Sequence, residues 1–557
     1  MNNNLDNPVY YLENFRFVLA WVMQRYADLL EQDEIKFIAT FSELAIQSQA
    51  LLVRMVMRRG DLFRASKLQY QEIGNPIAAL QSLAAHGWIT VDPVVTINLL
   101  YTLLTKQEFA TALQLNEARG AKKADLLELA SRQGPEPRRF SAWCVNSEDT
   151  LIEVCVAELC DRIRLMFFGN LYQDWSEFVL SDLGIFTYEK VPISDVSRAF
   201  HQRSDIDFYL HLHRCRERLR AGDDKLSEIE REVAAAACSN PWLHNRRAKL
   251  LFQIGQEYER LADHASAIRI YAQCNYAGAR LRHIRVLEKL GDFALAQTLA
   301  STARAEPESA EESQHLARLI PRLQRKLGQA LPRKKMRTSY ERIEFVLPRA
   351  EVGDYVEELA RRHIESIENP IAPDVFAPVF YVENTLINSL FGLLCWDAIF
   401  SPVPGAFFHP FQTGPADLHS ANFRMQRNDQ FEQALSQLNS QQYLTTIRET
   451  FVQKAGIQSP FVFWQSLEEN LLELALACIP ASHLEKFFER ILVGIAANRS
   501  GFPDLIQFWP QQRRYRMIEV KGPGDRLQDN QIRFLDFCGR HQMPVTVCFI
   551  EWEQSAN

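Results

Sequence analysis

The 557-residue sequence lacks any apolar stretch long enough to cross a membrane. Its strongest apolar run, from Leu390 to Phe400, is interrupted by Asp397 and falls well short of the roughly 20 residues that a spanning helix needs. The N-terminal residues MNNNLDNPVYY also lack the basic segment and apolar core of an export signal. We therefore expect a protein that makes no contact with a membrane.

The sequence also lacks closely spaced cysteines. Ten cysteines are scattered from Cys144 to Cys548, and none forms a C-x-x-C pair. Zinc modules and disulfide frameworks depend on such spacing, so neither is indicated. The pattern predicts reduced thiols and a cytoplasmic location.

A net positive charge is missing as well. The chain has 62 Lys and Arg residues against 69 Asp and Glu residues, which gives a net charge of −7. The chain as a whole would repel a polyanion, so a nucleic-acid partner must contact local basic patches. The hydrophobic fraction of 47% and the charged fraction of 24% are near globular averages and exclude a disordered chain or a coiled-coil rod. The length predicts several packed domains.

Helical patterns dominate the chain up to residue 340. Residues 1–100 contain a helix, a break at Gly60 and a second helix, a pattern that resembles a winged-helix DNA-binding unit; an ordinary helical pair is the alternative. Residues 101–135 resemble a SAP module, a small helix-loop-helix binder of the DNA backbone.

A repeat occurs within residues 136–340. The segment Glu259–Ile268 recurs as Glu288–Gln297, a shift of 29 residues. Stacked helical hairpins similar to tetratricopeptide repeats produce such a pattern, although two similar hairpins can also arise by chance.

The most basic stretch of the chain lies between Ser313 and Tyr340, where no acidic residue occurs. A run of like charge is commonly a solvated surface. Its position just before the candidate catalytic domain also suits contact with a phosphate backbone, with Lys334 and Lys335 as candidate ligands.

The C-terminal region carries a pattern suited to chemistry. Leu505–Trp509 and Tyr515–Lys521 are rich in β-forming residues and flank a polar turn, so they predict paired strands. Alternation puts Glu519 on the same face as Lys521, and hairpin pairing brings Asp504 beside Glu519. Carboxylates bind Mg²⁺ or Mn²⁺, and a lysine can stabilise charge during phosphodiester hydrolysis. An exposed acidic hairpin with a neighbouring lysine is the alternative that spacing alone leaves open.

The complete string is more informative than its spacing. It consists of G-F-P-D-L before the first strand, E-V-K-G-P-G-D-R-L in and after the second, and a glutamine on the following helix. Together these motifs resemble the virus-type replication-repair nuclease (VRR-NUC) module of the restriction-endonuclease-like PD-(D/E)xK superfamily. The expected fold is therefore a multidomain, mainly α chain with a C-terminal α/β nuclease domain over residues 341–557. The resemblance implies a catalytic and metal-binding set of Asp504, Glu519, Val520 and Lys521, with Gln531 near Lys521 or the phosphate.

An upstream segment extends the resemblance. This segment starts at Tyr381 and reads Y-V-E-N-T-L-I-N-S-L-F-G-L-L-C-W-D. It is similar to a helix of the Fanconi-associated nuclease family, whose members are structure-directed DNA nucleases. In that family the glutamate that matches Glu383 binds metal. Asp397 follows 14 positions later, about 21 Å along a helix, too far to share that metal. We therefore expect Glu383 to be the ligand and Asp397 to be structural.

The family resemblance implies cleavage of branched DNA, chiefly 5′ flaps, with 5′-to-3′ trimming and a role in interstrand cross-link repair. It also implies a basic pocket for a 5′-terminal phosphate, for which Arg499 and Arg280 are the matching residues. The order of the modules resembles the bacterial form of the family, which implies association with the nucleoid during repair.

The sequence departs from the animal form of the family in two respects. It has no Cys/His cluster suited to a ubiquitin-binding zinc finger, and Asn530 stands where the animal form has lysine. Two alternatives to a structure-specific nuclease stay open: a catalytically inactive DNA-binding scaffold and a restriction-type endonuclease.

Overall fold

The structure is a computed structural model. It describes residues 8–58, 60–114, 121–132, 135–145, 147–173, 175, 186–222, 224–329, 340–348, 355–368 and 377–553. Two compact units divide the chain: Met1–Ile185 with Phe200–Ile206, and Phe186–Ala199 with Asp207–Asn557. In the described part of the chain, no helix combines the length and apolarity needed to span a bilayer.

The first unit is mainly helical. Its helices are Tyr10–Tyr26, Gln32–Glu43, Ile46–Val56, Ile77–Ala85, Ile97–Leu103, Lys106–Ala112, Lys123–Ser131, Phe140–Trp143 and Ala157–Phe168, with a 3-10 turn at Ala65–Lys67. Its short strands are β1 (Leu62–Arg64), β2 (Ile89–Val91), β3 (Val94–Val95), β4 (Arg138–Arg139) and β5 (Leu151–Val154). β5 pairs antiparallel with β1 on one side and β2 on the other, and β3 pairs antiparallel with β4.

Consecutive helices form the next part of the chain, up to the basic stretch. They are Arg203–Ala221, Leu226–Ala235, Pro241–Arg260, His264–Gln273, Ala279–Leu290, Phe293–Ala305 and Ala310–Lys326.

The 29-residue sequence repeat is matched by a repeated turn and helix start. Asp263 caps one helix by accepting a hydrogen bond from the Ser266 N–H at 3.1 Å, and Asp292 caps the next equivalent helix through the Leu295 N–H at 3.2 Å. The residue before each cap, Ala262 or Gly291, has a positive φ, of 60° and 85° respectively. The same turn therefore recurs, because an Asp cap satisfies the first amides of each helix.

The C-terminal part contains a five-stranded mixed sheet. Its strands are β6 (Glu341–Leu347), β7 (Val379–Tyr381), β8 (Leu505–Trp509), β9 (Arg514–Lys521) and β10 (Val545–Trp552), in the spatial order β6-β10-β9-β8-β7. β10 is parallel to both β6 and β9, whereas the other neighbours are antiparallel. A mainly helical chain ending in an α/β domain confirms the expected fold class.

The same part of the chain contains nine helices of the described residues. They are Val356–Glu368, Leu386–Leu394, Trp396–Ile399, Asn428–Ser436, Gln442–Gln453, Glu469–Cys478, Ala481–Val493, Ile495–Asn498 and Asp529–Arg540, with 3-10 turns at Asp195–Ser197, Met425–Arg427, Gln437–Asn439 and Pro510–Gln512. Every residue of Leu386–Leu394 is buried, and the apolar ones belong to the main hydrophobic core, which anchors the chain that leaves β7.

One local prediction is wrong. The separation of about 21 Å assumed that Glu383 and Asp397 share one continuous helix, but the helix starts at Leu386 and ends at Leu394. Asn384 adopts a φ of 52°, which a right-handed helix cannot include, so Glu383 lies in the preceding turn. Asp397 is exposed in a separate short helix, Trp396–Ile399.

Candidate active site

The central hairpin places two carboxylates side by side. Leu505 on β8 faces Ile518 on β9, so the next residues along the two strands, Asp504 and Glu519, are neighbours. The Val520 N–H donates a 2.7 Å hydrogen bond to Asp504 Oδ2. Asp504 is 7% exposed and Glu519 is 1% exposed. The structure therefore brings these two residues together as the strand pattern predicts.

Two further side chains converge on Glu519. Lys521 Nζ donates to Glu519 Oε1 at 2.6 Å, and Gln531 Nε2 donates to the same oxygen at 2.5 Å. The other end of the Gln531 amide accepts from the Gln528 N–H at 2.8 Å, at the start of the helix Asp529–Arg540. Gln531 is therefore oriented by its helix and contacts the carboxylate beside Lys521.

The third carboxylate, Glu383, is held in the turn after β7. Tyr381 donates its hydroxyl to Glu383 Oε2 at 2.6 Å, and Asn384 Nδ2 donates to Glu383 Oε1 at 3.3 Å. Asn384 Oδ1 also accepts from the Phe502 N–H at 3.1 Å, and the Asn384 carbonyl accepts from Asn388 Nδ2 at 2.7 Å. Asn384 thus ties the turn that carries Glu383 to the segment just before Asp504.

Sequence reasoning missed Tyr381, Asn384 and Glu357. The negative charge of Glu357, on the first turn of Val356–Glu368, contributes to raising the pKa of Asp504. An asparagine directly after a candidate ligand was a usable signal, since Asn tolerates the left-handed conformation better than most residues. Nothing in the sequence indicated that Val356–Glu368 would start beside this site.

Burial and mutual repulsion perturb both hairpin carboxyls. The pKa of Asp504 is raised to about 6 and the pKa of Glu519 to about 7. Desolvation by burial is the main cause of both shifts. The negative charge of Glu383 raises both pKa values further, while Lys521 lowers them. Asp504 and Glu519, which are buried, and Glu383, which is exposed, together carry more negative charge than the single ammonium of Lys521 can offset.

These residues fit a hard divalent cation. The three carboxylates supply only oxygen ligands, which Mg²⁺ and Mn²⁺ prefer to sulfur ligands. A divalent cation would offset the negative charge that adds to burial in raising the pKa values of Asp504 and Glu519.

The pKa shifts predict how stability depends on pH. The folded pKa values of Asp504 and Glu519 exceed the ordinary values of 3.8 and 4.5, so the folded state holds more protons between about pH 4 and pH 7. The free energy of unfolding without metal should therefore fall as the pH rises through this window. Because a cation competes with these protons, Mn²⁺ should raise the melting temperature more at pH 8 than at pH 5.5. Differential scanning fluorimetry checks this, and an equal rise at both pH values would contradict it.

Arg499 is half-buried near the Asp504 segment. Its guanidinium carbon lies 5.9 Å from the ring centroid of Phe461, and its carbonyl accepts from Asn388 Nδ2 at 2.8 Å. Burial lowers the pKa of Arg499, and its charge adds to the burial that lowers the pKa of His419. No carboxylate of the described residues lies within ion-pair distance of its guanidinium, so its charge is available to an anion.

Arg280 is placed differently. Its Nε and Nη2 donate to the two oxygens of Glu312 at 2.7 and 2.6 Å, and Nη2 also donates to the Glu306 carbonyl at 2.6 Å. These bonds join helices of the repeat region and occupy most of the guanidinium fork, which favours a structural role. Lys334 and Lys335 lie outside the described residues.

Three family models match the chain. One described as "FAN1, HTH domain" matches residues 9–90, one described as "Fanconi anemia-associated nuclease SAP domain" matches residues 94–143, and one described as "VRR-NUC domain" matches residues 438–552.

Similar whole proteins come from bacteria and eukaryotes. The Fanconi-associated nuclease 1 homolog of Pseudomonas aeruginosa is 51% identical over 551 residues, which cover 98% of this chain and 97% of that protein. The homolog of Arabidopsis thaliana is 25% identical over 97% of this chain and 66% of its own length. Human Fanconi-associated nuclease 1 is 22% identical over 97% of this chain and 62% of its own length.

Solved structures agree with these matches. The crystal structure of paFAN1 bound to 2nt 5′ flap DNA with a gap superposes with a TM-score of 0.88 at 50% identity, covering 99% of both chains. The complex of paFAN1 with 1nt 5′ flap DNA with a gap gives a TM-score of 0.87 at 50% identity, covering 99% of this chain and 100% of that one.

Proposed function

The chain belongs to the Fanconi-associated nuclease family and is a nuclease, and from that premise we propose that it cuts branched DNA, chiefly at 5′ flaps, and trims DNA from 5′ to 3′. The family and the nuclease activity expected from the sequence are thereby confirmed. The observation that carries the proposal is the buried convergence of Asp504 and Glu519 with Lys521, beside Glu383, in a chain similar over its whole length to paFAN1. Interstrand cross-link repair on nucleoid DNA in the cytoplasm is the proposed cellular role.

The proposed division of the chain keeps the boundaries 1–100, 101–135, 136–340 and 341–557. The family models at 9–90 and 94–143 support DNA-binding roles for the first two segments. The VRR-NUC match begins only at residue 438, but β6 and β7 are strands of the same sheet and lie between residues 341 and 381. This pairing supports a nuclease domain that starts near residue 341.

Each residue of the site has a proposed task. Asp504, Glu519 and Glu383, with Val520, would hold Mg²⁺ or Mn²⁺, which would supply charge neutralisation at the scissile phosphate and a more acidic bound water. Lys521 would stabilise the negative charge that develops on the phosphate, since its ammonium lies at the same carboxylate. Gln531 would keep Glu519 oriented through its hydrogen bond.

A cleavage survey tests the proposal. The full-length protein is incubated with flap, nicked, blunt and single-stranded DNA, each with and without a 5′ phosphate, in Mg²⁺, Mn²⁺ or EDTA. We expect cation-dependent cutting that favours the 5′ flap. Binding without cutting in either cation would instead support an inactive scaffold, and cutting of unbranched duplex at one sequence would support a restriction-type enzyme.

Arg499 should contribute to recognition of a 5′ end. It lies five residues before Asp504, so its Cα can be no more than about 17 Å from the Cα of Asp504, a few nucleotides along a strand. Arg499→Ala should reduce the preference for a phosphorylated over an unphosphorylated short flap by about tenfold or more, while changing the cleavage of long flaps less, because a guanidinium binds a terminal phosphate through charge-assisted hydrogen bonds. Initial cleavage rates on short and long flaps, each with and without a 5′ phosphate, measure this preference.

Two variants sharpen the Arg499 test. Arg499→Lys keeps the charge without the planar fork and should retain part of the preference. Arg280→Ala, whose guanidinium is occupied by Glu312, should alter the preference less than Arg499→Ala does. Equal losses on all four substrates in Arg499→Ala would mean that Arg499 serves general DNA binding or packing.

Asn384 should act as a positioning residue for Glu383. Asn384→Gly keeps the positive φ but loses the hydrogen bond to Phe502, whereas Asn384→Ala also strains the backbone by about 1–2 kcal/mol. The Mn²⁺ concentration for half-maximal activity should therefore rise in both variants, and about tenfold more in the alanine variant. If both variants lose melting temperature but keep the wild-type Mn²⁺ requirement, Asn384 only stabilises the fold.

A further inference from the structure

A second cluster of metal-ligand side chains lies in the helical region, away from the nuclease hairpin in sequence. His211 and Cys215 are one turn apart on the helix Arg203–Ala221, and Glu232 lies on the next helix, Leu226–Ala235. One ligand atom from each residue lies within 4.8 Å of the other two. Cys215 is fully buried and the other two side chains are half-buried, so the cluster lies at the edge of a helical core.

The distances around the sulfur match the edges of a metal tetrahedron. Cys215 Sγ lies 3.8 Å from His211 Nε2 and 3.7 Å from Glu232 Oε2. Zinc bonds of about 2.3 Å to sulfur and about 2.0–2.2 Å to nitrogen or oxygen give tetrahedral edges of about 3.5 Å. A zinc ion would therefore need only shifts of a few tenths of an ångström along these two edges.

The local charge also favours a cation. Arg218 donates to Glu232 at 2.6 and 3.1 Å and to Asp224 as well, so one guanidinium faces two carboxylates. A carboxylate has about four lone-pair positions, so Glu232 can bind a metal and keep Arg218 as a neighbour. On binding, the Cys215 thiol would release its proton to solvent, and thiolate, carboxylate and neutral imidazole would together balance a divalent ion.

We propose that His211, Cys215 and Glu232 bind one zinc ion that joins the two helices. Sulfur and imidazole ligands select zinc over Mg²⁺, whereas the nuclease carboxylates offer only oxygen. No fourth His, Cys, Asp or Glu of the described residues joins the group, so a water molecule completes the coordination. The site is separate from the reaction centre and serves the stability of the helical region.

Cobalt absorption on the full-length protein tests the site. After treatment with EDTA and desalting, Co²⁺ should produce a thiolate-to-cobalt charge-transfer band in the near ultraviolet that saturates at one equivalent and disappears when Zn²⁺ is added. Cys215→Ser should abolish the band and His211→Gln should weaken cobalt binding at least tenfold. The matched control is Cys274→Ser, a half-buried thiol outside the cluster, which should keep the band. Absence of the band in the wild-type protein, or its persistence in Cys215→Ser, would overturn the proposal.

Two further measurements separate this site from the nuclease centre and from misfolding. The double variant Asp504→Asn, Glu519→Gln should keep the cobalt band, and loss of the band there would assign the cobalt to the nuclease centre and overturn the proposal. Zn²⁺ should raise the melting temperature of the double variant but not after Cys215→Ser is added. If Cys215→Ser does not fold, Glu232→Gln takes its place: it should bind Co²⁺ at least tenfold more weakly, and unchanged affinity would contradict the site.

Discussion

Replacing any one of Asp504, Glu519 and Glu383 by its amide should reduce cleavage by at least about a thousandfold, because a metal ion at the reaction centre supplies several kcal/mol of transition-state stabilisation. The amides preserve shape and one acceptor oxygen. Asp504→Asn can still accept from the Val520 N–H, and Glu519→Gln can still accept from Lys521. Loss of cleavage would then report the missing charge and not a collapsed hairpin.

Stability and binding measurements accompany these rates. Burial and like charge raise the pKa values of Asp504 and Glu519, so neutral amides should melt at or above the wild-type temperature at pH 8 without metal. Flap binding in Ca²⁺ should change little, since these side chains contribute little to the contact with the duplex. The matched control is Asp397→Asn, an exposed acid on the short helix Trp396–Ile399, which should cleave normally. Near-normal turnover in the amide variant of Glu383 would remove it from the metal site.

Lys521→Met should lower kcat by about 10² to 10³ with little change in KM, the effect of losing one preorganised electrostatic donor. The ammonium lies 2.6 Å from Glu519 Oε1 and is 9% exposed in its side chain, so bulk water cannot replace it. Methionine keeps a similar apolar stem and removes the charge together with the N–H donors. Single-turnover rates at saturating Mg²⁺ separate this effect from metal binding.

The opposite end of the same strand provides the control for Lys521. Arg514 stacks on Trp509 with its guanidinium carbon 3.7 Å from the ring, at the end of β9 that is remote from Glu519. Arg514→Gln should therefore leave kcat unchanged. If Lys521→Met also leaves kcat unchanged, the lysine serves only to pair with Glu519 in the folded protein.

The sequence by itself determined the contacts that follow from short-range periodicity. Residues two apart on a strand share a face, and two strands joined by a short turn have little freedom of register, so the strand pattern alone places Asp504, Glu519 and Lys521 together. The helix caps at Asp263 and Asp292 repeat for a similar reason, since the capping residue and the amide it binds are only three positions apart.

Only the tertiary structure decided the contacts between distant segments. Glu383 is 121 residues before Asp504, and its turn reaches the hairpin because β7 pairs with β8 and Asn384 bonds to Phe502. The partner of an arginine is likewise not specified by its own position: Arg280 is bound by Glu312, whereas Arg499 is not held by a carboxylate of the described residues. The physical reason is that periodicity constrains neighbours on one element, while packing between elements selects which long side chains meet.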